Sequence, residues 1–138
     1  MFELTPKSLV KLIAVDQRLA AVVKLAIELS SVNFIVVEGL RSQARQAELY
    51  AQGRTTPGKI VTWVKHSKHQ DGLAVDLAPF ENGTIDWNNE KKFDAIKMAM
   101  FAAAAELQTT IRWGANWDGD DKPREKGESD SPHFELVD

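Results

Sequence analysis

The sequence predicts an α+β domain: a small, largely antiparallel sheet backed by helices, in one unit covering residues 1–138. Three observations predict it. Two helical patterns open the chain, each with an N-cap signal. Short apolar or alternating runs follow, interleaved with further helices and ending in strands. The length of 138 residues fits one domain and leaves little room for a second.

Thr5-Pro6 reads as an N-cap with proline at the first helical position, opening a helix to about Ile13. Asp16 can cap a second helix, in which Leu19, Val22, Val23, Ala26 and Ile27 recur at helical spacing until Ser30-Ser31. Phe34 to Val37 is a short, β-branched, apolar run and predicts a buried strand. Ser42 can cap a helix through Gln52, with Gly53 placed to end it. From Arg54 to Lys68 no periodicity persists and Pro57-Gly58 marks a turn, so a long and therefore functional loop is expected. Gly72 to Ala78 alternates, with Leu73, Val75 and Leu77 on one face and Ala74, Asp76 and Ala78 on the other. Pro79 and Asn82-Gly83 are expected to close that strand. Glu90 to Leu107 is the strongest helix; Phe93, Ile96, Met100, Ala103, Ala104 and Leu107 form its apolar stripe. Ile111 to Trp113 predicts a strand, Gly114 to Asp130 an acidic, glycine-containing loop, and His133 to Val137 a last strand. In that strand Phe134 and Leu136 share one face, Glu135 and Val137 the other.

Composition narrows the function. The chain is 43% hydrophobic and 27% charged, ordinary for a globular protein able to form a core without staples. It has no cysteine, which excludes a disulfide framework, a cysteine-based zinc finger and a cysteine nucleophile. A net charge of −3 gives no basic field to draw nucleic acid. Lys59, Lys65 and Lys68, beside His66, read as a solvated loop. No glycine-rich phosphate loop is present, so no nucleotide cofactor is expected. The N-terminus lacks the basic start and apolar run of a signal peptide, and no apolar run approaches the ~20 residues of a membrane span. No membrane insertion is expected. A protein made in the cytoplasm in this form needs another component to release it, if its substrate lies outside the membrane.

The chain has three histidines. His69 stands seven residues before Asp76 in a segment that turns at Gly72, and His133 follows Asp130-Ser131-Pro132. Imidazole nitrogen and carboxylate oxygen suit Zn²⁺, and a catalytic zinc keeps three protein ligands and one open position. Asp76 lies between two alanines in mid-strand, where an unpaired buried charge is costly and a metal would neutralise it. Gly72 lets the backbone turn so that His69 can fold back toward Asp76. Spacing alone leaves other readings open: a histidine can cap or fill a core, and Asp76 can pair with an arginine or lysine. Arg41, between a strand and a helix, offers a planar charged fork for a substrate carboxylate or a developing oxyanion, or else a surface salt bridge. Trp87, Trp113 and Trp117 read as core or rim packing before sugar platforms.

Ser67-x-His69-x-x-Gly72-x-Ala74-x-Asp76, with the later Asp130-x-x-His133, resembles the LAS metallopeptidases. That family includes D-alanyl-D-alanine carboxypeptidases, D-Ala-D-Ala dipeptidases and phage L-alanyl-D-glutamate endolysins. Glu38-Gly39-Leu40-Arg41-Ser42, with Gln46 and Leu49-Tyr50, is similar to the family's strand-arginine-helix segment, and the likeness runs from about Val32 to Val137. The resemblance implies zinc ligands at His69, Asp76 and His133 and a catalytic carboxylate at Asp130, three residues before the last ligand. The aspartate at that position is similar to the endolysin branch; many relatives carry glutamate. It further implies that Ser67 hydrogen-bonds substrate or a ligand. His66 matches nothing in the pattern.

The expected activity is zinc-dependent cleavage of the L-Ala–D-Glu bond in the peptidoglycan stem peptide, by a monomer without a separate wall-binding domain. Two rivals stand beside it: a D-alanyl-D-alanine carboxypeptidase, and a non-catalytic, zinc-containing wall-binding module. Asp130 speaks against the module, because a structural site has no need of a base beside an open position. Asn116, Asp118 and Asp120 place oxygens at alternate positions around Gly119, a pattern that could take Ca²⁺ or simply be a solvated acidic turn.

Overall fold

In the computed structural model, which describes residues 1–41, 43–60, 68–116, 123–124 and 130–137, Thr5 caps α1 (Pro6–Leu12) by accepting from the Ser8 amide at 3.1 Å. Asp16 caps α2 (Gln17–Leu29) by accepting from the Arg18 amide at 2.9 Å. Both caps satisfy amide donors that a helix start leaves over. The helices begin where the sequence places them. β1 (Phe34–Glu38) follows, then α3 (Gln43–Ala51), a single 3-10 turn (Lys68–Asp71), β2 (Ala74–Glu81), β3 (Thr84–Ile85), α4 (Glu90–Glu106), β4 (Ile111–Gly114) and β5 (Asp130–Leu136).

The sheet runs β1-β2-β5-β4, every described pair antiparallel, with β3 joined to the far end of β2. Helices α2 and α4 pack on each other and on one face of the sheet. Leu19, Val22, Val23, Ile96 and Met100 meet Phe34, Val36, Val75, Leu77, Phe134 and Leu136 there, all at most 2% exposed. Strand alternation sends Asp76 and His133 to the opposite face. The fold thus divides the sheet into an apolar side and an ionisable side.

α1 covers the outer edge of β1. Ser8 Oγ accepts from the Val36 amide at 3.0 Å, and Lys11 Nζ donates to the Val37 carbonyl at 2.9 Å. Backbone groups that would leave an open, pairing-prone edge are satisfied by side chains.

Several expected boundaries move. β2 runs through Pro79 to Glu81 instead of stopping at Ala78. The Phe80 amide donates toward β1, to Asn33 O, and the Pro79 carbonyl accepts from Asp86 on the other side. The N–H that proline lacks therefore falls away from β1, and the strand tolerates it. Asn82-Gly83 is the tip of a hairpin to β3, with φ of 53° and 79°. Two positive-φ residues make the type I′ turn that matches strand twist. β5 begins at Asp130, three residues before its expected start, because Asp130 pairs with Gly114. β1 and β4 each gain one residue, and α3 ends at Ala51, not Gln52. Leu107 caps α4 and is 41% exposed, so it leaves the apolar stripe. The expected cap at Ser42 lies outside the described residues.

Candidate metal and active site

Three strands put three acidic or imidazole side chains in one row. Glu38 pairs with Asp76 across β1–β2, and Asp76 with His133 across β2–β5. His69 reaches the row from the 3-10 turn. Gly72 ends that turn at φ 71°, with its carbonyl accepting from Asp16 at 2.8 Å, so the chain can double back into β2. The expected role of Gly72 holds.

Asp76 Oδ1 lies 3.3 Å from His69 Nε2 and 3.4 Å from His133 Nδ1. These ligand atoms all lie within 4.8 Å of one another. Ligands about 2.0–2.1 Å from a common tetrahedral centre stand about 3.3–3.4 Å apart, so the two Asp76–imidazole separations suit a small cation. Asp76 Oδ1 is shielded from solvent and has no hydrogen bond, a costly state that a cation would relieve. Two imidazole nitrogens with one carboxylate suit first-row divalent ions better than calcium or magnesium. The residues fit a metal.

Each histidine has its other nitrogen fixed. His69 Nδ1 is 2.9 Å from the Gly39 carbonyl, which can only accept, so that nitrogen carries the proton and Nε2 faces Asp76. His133 Nε2 is 2.8 Å from Glu135 Oε1, which leaves Nδ1 to face Asp76. Burial would lower the His133 pKa, but the neighbouring carboxylates, Asp76 first and then Glu135, outweigh it and raise it to about 9. Burial would raise Asp76, but the polar contacts with the His133 and His69 rings at 3.4 and 3.3 Å hold it well below the usual carboxylate range.

Asp130 sits at the mouth of the row, its side chain 54% exposed and Oδ2 3.9 Å from His133 Nδ1. Its pKa is raised, first by partial loss of hydration and then by the charge of Asp76. Gly114 makes room for it: a Cβ there would overlap the Asp130 carbonyl and stand 3.0 Å from His133 Cβ.

Arg41 is no surface salt bridge. Its side chain is 9% exposed, Nε and Nη2 donate to the two Glu38 oxygens at 2.7 and 2.6 Å, and Nη1 donates to Gln46 at 2.6 Å. Nη2 also lies 3.9 Å from Asp76 Oδ2, and the Arg41 amide donates to the His69 carbonyl. Half of the expected fork is thus already committed to Glu38. Ser67, His66, Trp117, Asp118 and Asp120 lie outside the described residues. Asn116 is half-buried and bridges to Trp113, and nothing in the described residues supports calcium there. Trp113 is core, stacked on Phe134, whereas Trp87 is 51% exposed.

Sequence reasoning missed Glu135 and Lys68. Lys68, read as a loop cation, lies 3.0 Å from Glu135. The signal was the alternation itself, which puts residues 133 and 135 on one face of the last strand.

Comparison with known proteins adds an independent line. The sequence model of the phage L-alanyl-D-glutamate peptidases matches residues 1–137. The chain is 37% identical over 133 residues to an L-alanyl-D-glutamate peptidase of Escherichia phage T5, covering 92% of each. It is 32% identical to the peptidoglycan L-alanyl-D-glutamate endopeptidase CwlK of Bacillus subtilis, covering 86% of this chain and 69% of that one. The solved L-Ala D-Glu endopeptidase ChiX of Serratia marcescens superposes with a TM-score of 0.81 at 32% identity, covering 99% and 90%.

Proposed function

The chain belongs to the phage L-alanyl-D-glutamate peptidase family, and from that premise we propose that it hydrolyses the L-Ala–D-Glu bond of the peptidoglycan stem peptide, with Zn²⁺ held by His69, Asp76 and His133. One observation carries the site assignment. A solvent-shielded carboxylate oxygen without a hydrogen bond faces two imidazole nitrogens at 3.3 and 3.4 Å. The resemblance to zinc peptidases supports the choice of metal.

Bound zinc would supply Lewis-acid polarisation of the scissile carbonyl and lower the pKa of water. Asp130 does the proton work. It is a half-exposed carboxylate beside the ligand row, open to water. It takes a proton from the attacking water and returns it to the D-Glu nitrogen as the C–N bond breaks. The water oxygen ends in the new L-Ala carboxylate. Arg41, tied to Glu38 and Gln46, acts as a fixed cation rather than an open clamp, and its remaining N–H groups suit charge developing on the carbonyl oxygen. Ser67 keeps its place as a substrate hydrogen-bonding residue on the strength of the motif. The unit acts as a monomer on the cell wall, with its catalytic core in residues 32–137.

Metal analysis of purified variants tests the assignment. His69→Ala, Asp76→Ala and His133→Ala are expected to lose zinc and activity together. Asp130→Ala is expected to keep zinc and lose hydrolysis by roughly 10²-fold or more. Full zinc occupancy in His133→Ala would overturn the ligand set.

A further inference from the structure

His133 and Glu135 stand two residues apart on β5 and so share the ionisable face of the sheet. The Glu135 side chain is only 9% exposed. Its Oε1 is 2.8 Å from His133 Nε2, and its Oε2 is 3.0 Å from Lys68 Nζ. Lys68 also donates to the Leu136 carbonyl at 2.9 Å. Lys68 immediately precedes His69 on the 3-10 turn. The pair therefore links the segment carrying one histidine to the strand carrying the other. Ala74, a small residue, lies directly across from Glu135 in the β2–β5 register.

A partly exposed lysine beside a buried glutamate brings little net stability, because solvent screens the one and lost hydration of the other offsets much of their attraction. Geometry suggests another use. A neutral imidazole can carry its proton on either nitrogen, and only one tautomer presents Nδ1 to the row formed with His69 and Asp76. A carboxylate accepting from Nε2–H selects that tautomer, orients the ring and makes Nδ1 a stronger donor. His69 obtains the same service from a backbone carbonyl, which substitution cannot remove. His133 depends on a side chain.

We propose that Glu135, held by Lys68, is a positioning residue that fixes His133 as an Nδ1 metal ligand and sets its spacing from His69. The proposal rests on the metal reading above.

Zinc affinity, measured by competition with a chromophoric chelator, and ¹⁵N NMR of the His133 ring test it. In the zinc-loaded wild type, Nδ1 is coordinated and Nε2 carries a slowly exchanging proton. Glu135→Ala, and Glu135→Met as a bulk-preserving alternative, weaken zinc binding by roughly 10–100-fold. Glu135→Gln keeps an acceptor and recovers most of that loss. A pair that serves only stability would lower the melting temperature of these variants and leave zinc affinity unmoved. Unchanged affinity in folded Glu135→Ala or Glu135→Met, or coordination through Nε2 in the wild type, overturns the proposal alone. A wild type that binds no zinc overturns the metal reading and this inference with it.

Discussion

Asp76 has alanine on both sides along its face of β2, Ala74 and Ala78, each fully buried. Small neighbours let two imidazoles approach one carboxylate; residue types and spacing alone left a core histidine or an Asp76 ion pair open, and the family resemblance singled out His69, Asp76 and His133. Asp76→Asn tests the charge separately from the shape. The amide keeps the volume but is a poor metal ligand, so zinc occupancy is expected to fall sharply while the fold persists, read by metal analysis beside circular dichroism. Arg41 was legible as a residue but not in its bonding, because its partner Glu38 is three residues away across a strand end. Lysine at this position keeps a charge and loses the fork that grips Glu38 and Gln46. Arg41→Lys is expected to lower kcat by roughly 10²-fold, as loss of an oxyanion donor does, with zinc retained. A variant with wild-type kcat would assign Arg41 to folding alone. Glu135 escaped the reading because its partners, His133 and Lys68, are visible as partners only once the strand and the turn are brought together.

At the level of elements, helices with a cap and a stripe were placed to within a residue or two, as α1, α2 and α4 show. Strand ends were not, since pairing partners decide them: Asp130 is a strand residue only because Gly114 lies opposite. That pairing yields a prediction. A methyl group at residue 114 would collide with the Asp130 backbone and crowd His133. Gly114→Ala is expected to cost about 1–3 kcal/mol, the usual price of overpacking, and to lower activity with it; urea unfolding beside turnover reads both. The α2 cap gives a pH signature. The Arg18 side chain, then the Arg18 amide, holds the Asp16 carboxyl below its ordinary value. A depressed folded pKa means that the cap's stabilisation is present above about pH 4, the unfolded value, and fades as pH falls through the folded one. Asp16→Ala is therefore expected to cost about 1 kcal/mol at pH 7 and progressively less toward pH 2. An unchanging gap between the two proteins over that range would contradict the cap's role.

Across the whole molecule, the α+β class and its antiparallel sheet followed from the order of elements. What the order alone left out was the division of labour between the faces of the sheet. Helices α2 and α4 take one side and seal the apolar core, and the other side is left with a row of ionisable groups that only mutual pairing or a cation can stabilise. The hairpin at Asn82-Gly83 extends the sheet away from that row, and α1 closes the β1 edge. The central claim is that this face cuts one particular peptide bond, and mass spectrometry of purified peptidoglycan after digestion tests it most directly. Fragments with a new N-terminal D-Glu, produced by the wild type and absent with Asp130→Ala, are the predicted result; release of single D-Ala residues with the L-Ala–D-Glu bond intact would contradict it.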